Sequence, residues 1–367
     1  MEIRAYTAAE LNDFIRSESF KTLPVIPISR HRAASHTANP RLDPADQIMF
    51  IAWEGEALAG YLGVFADRIY LNDQPEKAGW LSCMWVDPNM RGKGIAKKLL
   101  RSVLDSWGNR ILVTEFTPAA KGLYDRSETF MDLKKPVGMR GYLRANLAYL
   151  LPRRKPGLAG IKPLLRLTDG LLNLFNGLRL RLWTPKMEGL NWTYIAEIDA
   201  ELDAFIRERQ AKQFTRRTAE DLNWMLRHPW VLTAPEPDAD SVRYHFSAVD
   251  TRFEFLAMRL TRADSQLAGL LILQIRGGHL KVPYAYVEQG LEHEAVQLIY
   301  RQALALKADM VSIWHPGLVA AMQAGGHPFY LRRQLQRHFI TSKVFGEAFG
   351  RNGEVEIQDG DADAAFT

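Results

Sequence analysis

Apolar positions along this chain follow two rhythms, and the way they alternate predicts the elements. Met1–Tyr6, Ile48–Trp53 and Leu58–Ile69 are β-prone runs, the last two divided by Glu54-Gly55-Glu56 as a hairpin would be. Ala8–Phe20, between the first two, has helical spacing. From Trp80 to Val86 the chain is almost continuously apolar, as in a strand covered on both faces, and Asp87-Pro88-Asn89 ends the run. Ile95, Leu99, Leu100, Val103, Leu104 and Trp107 then recur at three- and four-residue steps, with Lys97, Lys98, Arg101 and Asp105 on the other side. A further strand is expected at Ile111–Phe116. The second half repeats this outline. Leu267-Ala268-Gly269 opens a strand as Leu58-Ala59-Gly60 does, Lys281–Glu288 stands where Leu81–Asp87 stood, Glu292–Leu306 reads as the helix, and Met310–Pro316 as the next strand.

Between the Trp80–Val86 strand and the helix lies Arg91-Gly92-Lys93-Gly94-Ile95-Ala96. The first turn of a helix has N–H groups without intrahelical partners and the positive end of the helix dipole behind them, so anionic oxygens bind there. Gly92 and Gly94 let a diphosphate approach the main chain, and Arg91 and Lys93 add positive charge. The pattern is neither G-x-x-x-x-G-K-[ST] nor G-x-G-x-x-G, which argues against a Walker site and a dinucleotide fold. It is R-x-x-G-x-A. With V-D-P before it and an amphipathic helix after it, the unit resembles the acyl-CoA signature of the GNAT (GCN5-related N-acetyltransferase) superfamily over about residues 1 to 150. In the second half, Gln289-Gly290-Leu291-Glu292-His293-Glu294 takes the place of this turn, and its carboxylates would repel a diphosphate.

The resemblance implies an α/β (α+β) fold, a mixed and mainly antiparallel sheet flanked by helices, here duplicated with a second copy that lacks the CoA motif. It implies acetyl-CoA, or another acyl-CoA, as co-substrate and direct transfer to an amine of a small molecule or sugar. Main-chain N–H groups at Met84-Trp85-Val86 would polarise the thioester carbonyl, and Arg91 to Ala96 would hold the diphosphate. Tyr124, in Ala120-x-x-Leu123-Tyr124, matches the tyrosine that protonates the departing thiolate. Thr117 stands where the family has an asparagine that contacts pantetheine, and the glycine-phenylalanine that usually follows the tyrosine motif is missing. Glu115, a carboxylate in an apolar run, is the candidate base, because burial would raise its pKa to a useful value. His31 and His36 follow the first helix, where the family builds its acceptor side, and are candidate substrate-binding residues. No metal site is expected.

Charge changes the picture in one segment. Between Lys134 and Met187 twelve basic residues face one acidic residue, Asp169, so +11 is concentrated there against −6 elsewhere. The same segment carries an apolar stripe of Leu164, Leu167, Leu171, Leu174, Phe175, Leu178 and Leu182. A basic amphipathic helix can lie on an anionic membrane or grip a polyanion; the reading adopted here is a structural connector with its stripe buried, and no nucleic acid partner. The expected division is a CoA-binding domain at 1–150, the connector at 151–190, a second domain at 191–350 and a solvated acidic tail at 351–367. The single cysteine, Cys83, excludes an internal disulfide and fits a reducing compartment. With no secretory signal, the expected location is cytoplasmic. Two other functions remain open: a two-domain aminoacyl- or long-chain acyltransferase working at a membrane or on a tRNA-linked donor, and a non-catalytic CoA-binding protein.

Overall fold

The computed structural model describes residues 1–71, 73–187, 189–349 and 355–366, with the side chains of Arg153 and Arg154 outside that description. The chain begins with β1 (Glu2–Tyr6), α1 (Ala8–Arg16), α2 (Glu18–Thr22) and α3 (Arg30–Thr37). There follow β2 (Met49–Glu54), β3 (Ala57–Leu71), β4 (Gln74–Val86), α4 (Ile95–Ser106), β5 (Ile111–Val113), α5 (Pro118–Arg126) and β6 (Phe130–Lys134). Next come β7 (Val137–Tyr142), α6 (Leu147–Arg154), α7 (Lys162–Leu182), β8 (Leu190–Ile195), α8 (Ala200–Glu208), α9 (Ala219–Arg227), β9 (Leu232–Thr233), α10 (Ala239–Arg243) and β10 (Val249–Asp250). The rest is β11 (Phe253–Arg262), β12 (Leu267–Arg276), β13 (His279–Val287), α11 (Glu292–Ala305), β14 (Met310–Ile313), α12 (Pro316–Ala324), β15 (Leu331–Gln336), β16 (Phe339–Ser342) and α13 (Lys343–Phe349).

These elements form two compact units, and neither is a contiguous block. Residues 1–136, 196–251 and 337–367 make the first; 137–195 and 252–336 make the second. The expected boundaries at 150 and 190 are therefore not those of the units. The first sheet has the order β1-β2-β3-β4-β5-β16-β6 and the second β8-β11-β12-β13-β14-β7-β15 when read from its other edge. The two orders are the same, so the fold is duplicated, as two mixed, mainly antiparallel sheets. Each sheet takes its sixth strand from the other half of the sequence: β16 pairs antiparallel with β5 and β6, and β7 pairs antiparallel with β14 and β15. The repeated Leu-Ala-Gly has a steric cause in both units. A Cβ on Gly60 would come within 2.8 Å of the Trp85 carbonyl, and one on Gly269 within 2.7 Å of the Tyr286 carbonyl.

In the first unit, the expected Ala8–Phe20 helix is two helices, because the Ser17 hydroxyl accepts from Phe20 N and Ser17 N donates to the Phe14 carbonyl. That closes α1 and opens α2. The three chain segments meet at a buried ionic cluster. Asp67, fully buried, accepts from Arg41 Nη1 at 2.7 Å and from both Arg217 Nη atoms at 2.9 and 2.8 Å. Arg41 also pairs with Asp221, and Arg217 Nη2 lies 3.3 Å from Asp361. The end of the chain is thus not a solvated tail. Asp359 pairs with Arg337, the Asp361 carboxylate accepts from the Thr215 hydroxyl, and Phe366 stacks on Trp230 with centroids 3.8 Å apart. Residues 351–354, in the same stretch, lie outside the described residues.

In the second unit, α11 packs with α12 against the sheet around Leu271, Leu273, Val296, Ile299 and Val311. Here the start of the helix is acidic: Glu292 and Glu294 put negative charge in the first turn, and Glu292 Oε2 accepts from Gly290 N, two residues before the helix, at 2.9 Å. The segment expected to be a connector belongs to this unit. Asp169 of α7 accepts from Leu147 N and Ala148 N, and Asn173 exchanges hydrogen bonds with the main chain of Ala145. The expectation of a buried stripe is overturned: Leu164, Leu167, Leu171, Leu174, Phe175, Leu178 and Leu182 are all exposed, and α7 buries only Leu165 and Leu180. The helix is anchored through its polar residues, which turns the apolar ones outward.

Candidate active site

The first unit's candidate site is built where β4 parts from β5. Their parallel pairing consists of Gly79↔Ile111 and Trp80↔Leu112, after which β4 continues to Val86 beside β3 alone. The register against β3 shifts between Tyr61 and Gly63, which puts Cys83 and Met84 opposite Leu62 as a bulge, with Cys83 at φ +27°. Past this point the β5-side edge of β4 has no strand partner among the described residues. Side chains alternate across the strand: Met84 and Val86 pack on the cluster that contains Ile95 and Tyr124, whereas Cys83 and Trp85 pack on the cluster that contains Tyr61 and Tyr244.

The glycine-rich turn follows at once. Gly92 and Gly94 hold φ of +85° and +75°, and a Cβ on either would meet nothing within 4 Å. Backbone conformation and open space, not packing, therefore require glycine. Gly94 is the N-cap of α4 and makes no side-chain cap, so the first-turn N–H groups face a surface where Arg91, Lys93 and the two glycines are exposed. Ile95 is buried and fixes the helix start against the core, and Ala96 is half-buried beside it. The arrangement fits a diphosphate.

The Tyr124 ring is buried on α5 between Phe116 and Phe130, with centroids 6.1 and 5.2 Å away. Burial pushes its pKa up to about 12, so the phenol holds its proton across the neutral range. Thr117 is the N-cap of α5, its hydroxyl accepting from Ala120 N at 3.2 Å. Glu115 is not buried as expected. β5 ends at Val113, leaving the Glu115 side chain 55% exposed, with Arg337 Nη2 at 3.9 Å. The burial argument for its basicity therefore does not hold.

His31 and His36 lie on α3. His31 is exposed. His36 is a core residue between Phe65 and Trp230, and burial and the neighbouring Arg32 hold its pKa well below the ordinary range. The polar side chain that this helix sends to β4 is instead Arg32. Its guanidinium, over the Trp230 ring, donates to the Ser82 hydroxyl and, at 2.8 Å, to the Asp363 carboxylate. Ser82 Oγ also donates to Asp363 Oδ2 at 2.8 Å, and the Cys83 thiol, pushed up by burial, lies 3.2 Å from the Tyr244 hydroxyl. Trp85 is sandwiched by Tyr61 at 5.5 Å and His245 at 4.9 Å. The Tyr61 hydroxyl is buried without a hydrogen-bond partner. Arg32, Tyr244, His245 and Asp363 were missed in the sequence because their shared location comes from segments separated by up to 331 positions. Among the described residues, no group of three or more His, Cys, Asp or Glu is placed to hold a metal ion.

Comparison with known proteins agrees with this geometry. The Acetyltransferase (GNAT) family model matches residues 11–127. No curated protein matches the chain. Among solved structures, a probable N-acyltransferase from Enterococcus faecalis V583 aligns with a TM-score of 0.54 at 9% identity, covering 94% of this chain and 73% of that one. The N-myristoyltransferase of Saccharomyces cerevisiae with bound myristoyl-CoA gives 0.52 at 10% identity, covering 93% and 78%. A GCN5-related N-acetyltransferase from Anabaena variabilis gives 0.50 at 10%, covering 92% and 72%. At these identities the likeness is one of fold.

Proposed function

We propose, from the GNAT family match over residues 11–127 and the site geometry, that the chain is a GNAT-type, acyl-CoA-dependent N-acyltransferase, acetyl-CoA being the simplest donor, acting on an amine of a small molecule or sugar. The observation that carries this reading is the uncapped α4 N-terminus behind Gly92 and Gly94, at the end of the strand that parts from β5. The donor's diphosphate would sit on the N–H groups from Gly92 to Ala96, with Arg91 and Lys93 alongside, and its acyl thioester would run into the gap between β4 and β5. Main-chain N–H groups on the β5-side edge of Met84-Trp85-Val86, which has no strand partner among the described residues, would hydrogen-bond the thioester oxygen. Donors fixed there would favour the oxyanion over the ground-state carbonyl by about 3 kcal/mol each.

In the proposed reaction the neutral amine attacks the carbonyl carbon, a C–N bond forms, the C–S bond breaks, and the thiolate takes a proton from Tyr124. A carboxylate removes the proton the amine gives up. Glu115, at the end of β5, and Asp363, hydrogen-bonded to Ser82 on β4, are the candidates. The face of β4 opposite α4, with Arg32, Tyr61, Tyr244 and His245, is the proposed acceptor side. The second unit has no corresponding donor site in this reading, since Glu292 and Glu294 put negative charge in the first turn of α11, where a diphosphate would be repelled. The test is release of free thiol from acetyl-CoA and longer acyl-CoAs over a panel of amino sugars, amino acids, polyamines and peptides. Amine-dependent release supports the proposal. CoA binding without release for any amine would favour a binding protein.

A further inference from the structure

α7 presents to solvent the kind of face that a helix in a globular protein buries. Leu164, Leu167, Leu171, Phe175, Leu178 and Leu182 recur at three- and four-residue steps and are between 58% and 79% exposed. A single exposed leucine needs no explanation, but a continuous stripe along a helix of 21 residues, about 32 Å long, does. The helix is not loosely attached. Its opposite side carries Leu165 and Leu180, both buried, the Asp169 carboxylate bound to two N–H groups of α6, and Asn173 paired in both directions with Ala145. These contacts fix the rotation of α7, so the apolar side is held outward.

Charge identifies what covers it. The only carboxylate on α7 is Asp169, and it is turned to the N-terminus of α6. Arg181 flanks the stripe, and Lys162 and Arg166, at the start of the helix on the side of Asp169, are also exposed, so the exposed surface of α7 is apolar and cationic with no anion of its own. A second copy docked face to face would bring like charges together at the rims. An anionic bilayer instead offers acyl chains to the stripe and negative headgroups to the rim. No helix among the described residues is long and apolar enough to cross a membrane, so the contact is in the plane of the surface. We propose that α7 is an interfacial helix that docks the protein on an anionic lipid surface, with Leu171 and Phe175 at the acyl boundary and Lys162, Arg166 and Arg181 among the headgroups. This does not depend on the acyltransferase reading.

The experiment is co-sedimentation of the full chain with vesicles of phosphatidylcholine, alone or with about one third phosphatidylglycerol, at low and physiological salt. Binding about tenfold stronger to the anionic vesicles is expected. Leu171→Glu/Phe175→Glu should abolish it with an unchanged thermal melt, since both side chains are exposed. Arg166→Gln/Arg181→Gln should weaken it and flatten its salt dependence. Absence of binding at low salt would overturn the proposal, as would equal binding by the Leu171→Glu/Phe175→Glu variant. Two other results would also overturn it: binding to tRNA without binding to vesicles, or a concentration-dependent dimer that the same variant disrupts while the parent ignores vesicles.

Discussion

Removing Arg217 probes how the first unit holds its three chain segments together. Arg41, Arg217, Asp67, Asp221 and Asp361 form a cluster with three carboxylates and two guanidiniums, in which Asp67 and Asp361 are 0% and 1% exposed. Arg217→Met keeps an unbranched apolar stem and removes one cation, leaving Asp67 with the Arg41 guanidinium, Trp80 Nε1 and Arg68 N, and Asp361 with hydrogen bonds from the Thr215 hydroxyl and Gln358 N. Breaking a buried pair from one side costs about 3–5 kcal/mol, because the remaining charge stays buried. For a unit of this size each kcal/mol lowers the melting temperature by about 2–4 °C, so a fall of about 6–20 °C is expected in a calorimetric or circular dichroism melt at pH 7. Asp361 should behave in the opposite way. Burial raises its pKa despite Arg217, so its ionised form is disfavoured in the folded state. Its contribution is present below the unfolded pKa and is lost as pH rises through the raised one. Asp361→Asn should therefore cost under about 1 kcal/mol, and combining it with Arg217→Met should recover part of the loss. Asp67 and Asp221 are buried, yet the arginines hold their pKa below the ordinary value. Their contribution is complete above the unfolded value, about 3.9, and is lost as pH falls through the lowered ones. A fall under about 2 °C for Arg217→Met, or an equal fall for Asp361→Asn, would refute this account of the cluster.

Three further outcomes follow from the site and the second sheet. Tyr124→Phe should lower kcat by about tenfold to a hundredfold while the KM for acetyl-CoA stays within about twofold, because the ring still packs and only the proton is lost; steady-state kinetics measure this, and unchanged kcat with chemistry rate-limiting removes Tyr124 from the reaction. Asp363→Asn and Glu115→Gln separate the two candidate bases: loss of the true one should depress kcat/KM most above the pH at which the parent's base ionises and flatten the acid limb, whereas a variant that scales the profile equally at every pH is not the base. Gly141→Ala should destabilise the second unit by about 1–3 kcal/mol, since its Cβ would lie 2.4 Å from the Phe329 ring; an unshifted melt would show that the ring moves freely.

The proposed donor half of the site was legible because the elements that form it are local. A strand, a turn with positive φ at Gly92 and Gly94, and an uncapped helix occupy consecutive residues, and each leaves a residue-type requirement. The order of the first five strands and the repeat in the second half could be read the same way. The exchange of β7 and β16 could not, since the local pattern of Val137–Tyr142 or Phe339–Ser342 says that it is a strand but not which sheet takes it. The acidic end misled for a related reason: its composition is that of a solvated segment, but Arg217, Arg337 and Arg32 lie far away in the sequence and neutralise Asp361, Asp359 and Asp363. His36 and Arg32 are one helical turn apart, and only the tertiary fold decides that the arginine reaches β4 while the imidazole enters the core. For α7, the apolar stripe was visible, but its direction was fixed by Asp169 and Asn173.

The central claim is that the donor binds at the N-terminus of α4 and nowhere on α11. Isothermal titration of the full chain with acetyl-CoA tests it, in the parent and in Gly94→Glu, where a carboxylate replaces open space at a φ of +75°. The account predicts one site per chain in the parent, with the melt of the first unit raised by about 2.7 kcal/mol at about a hundred times the dissociation constant. It also predicts loss of that site in the variant with its ligand-free fold retained. Two sites per chain, or unchanged affinity in Gly94→Glu, would contradict it.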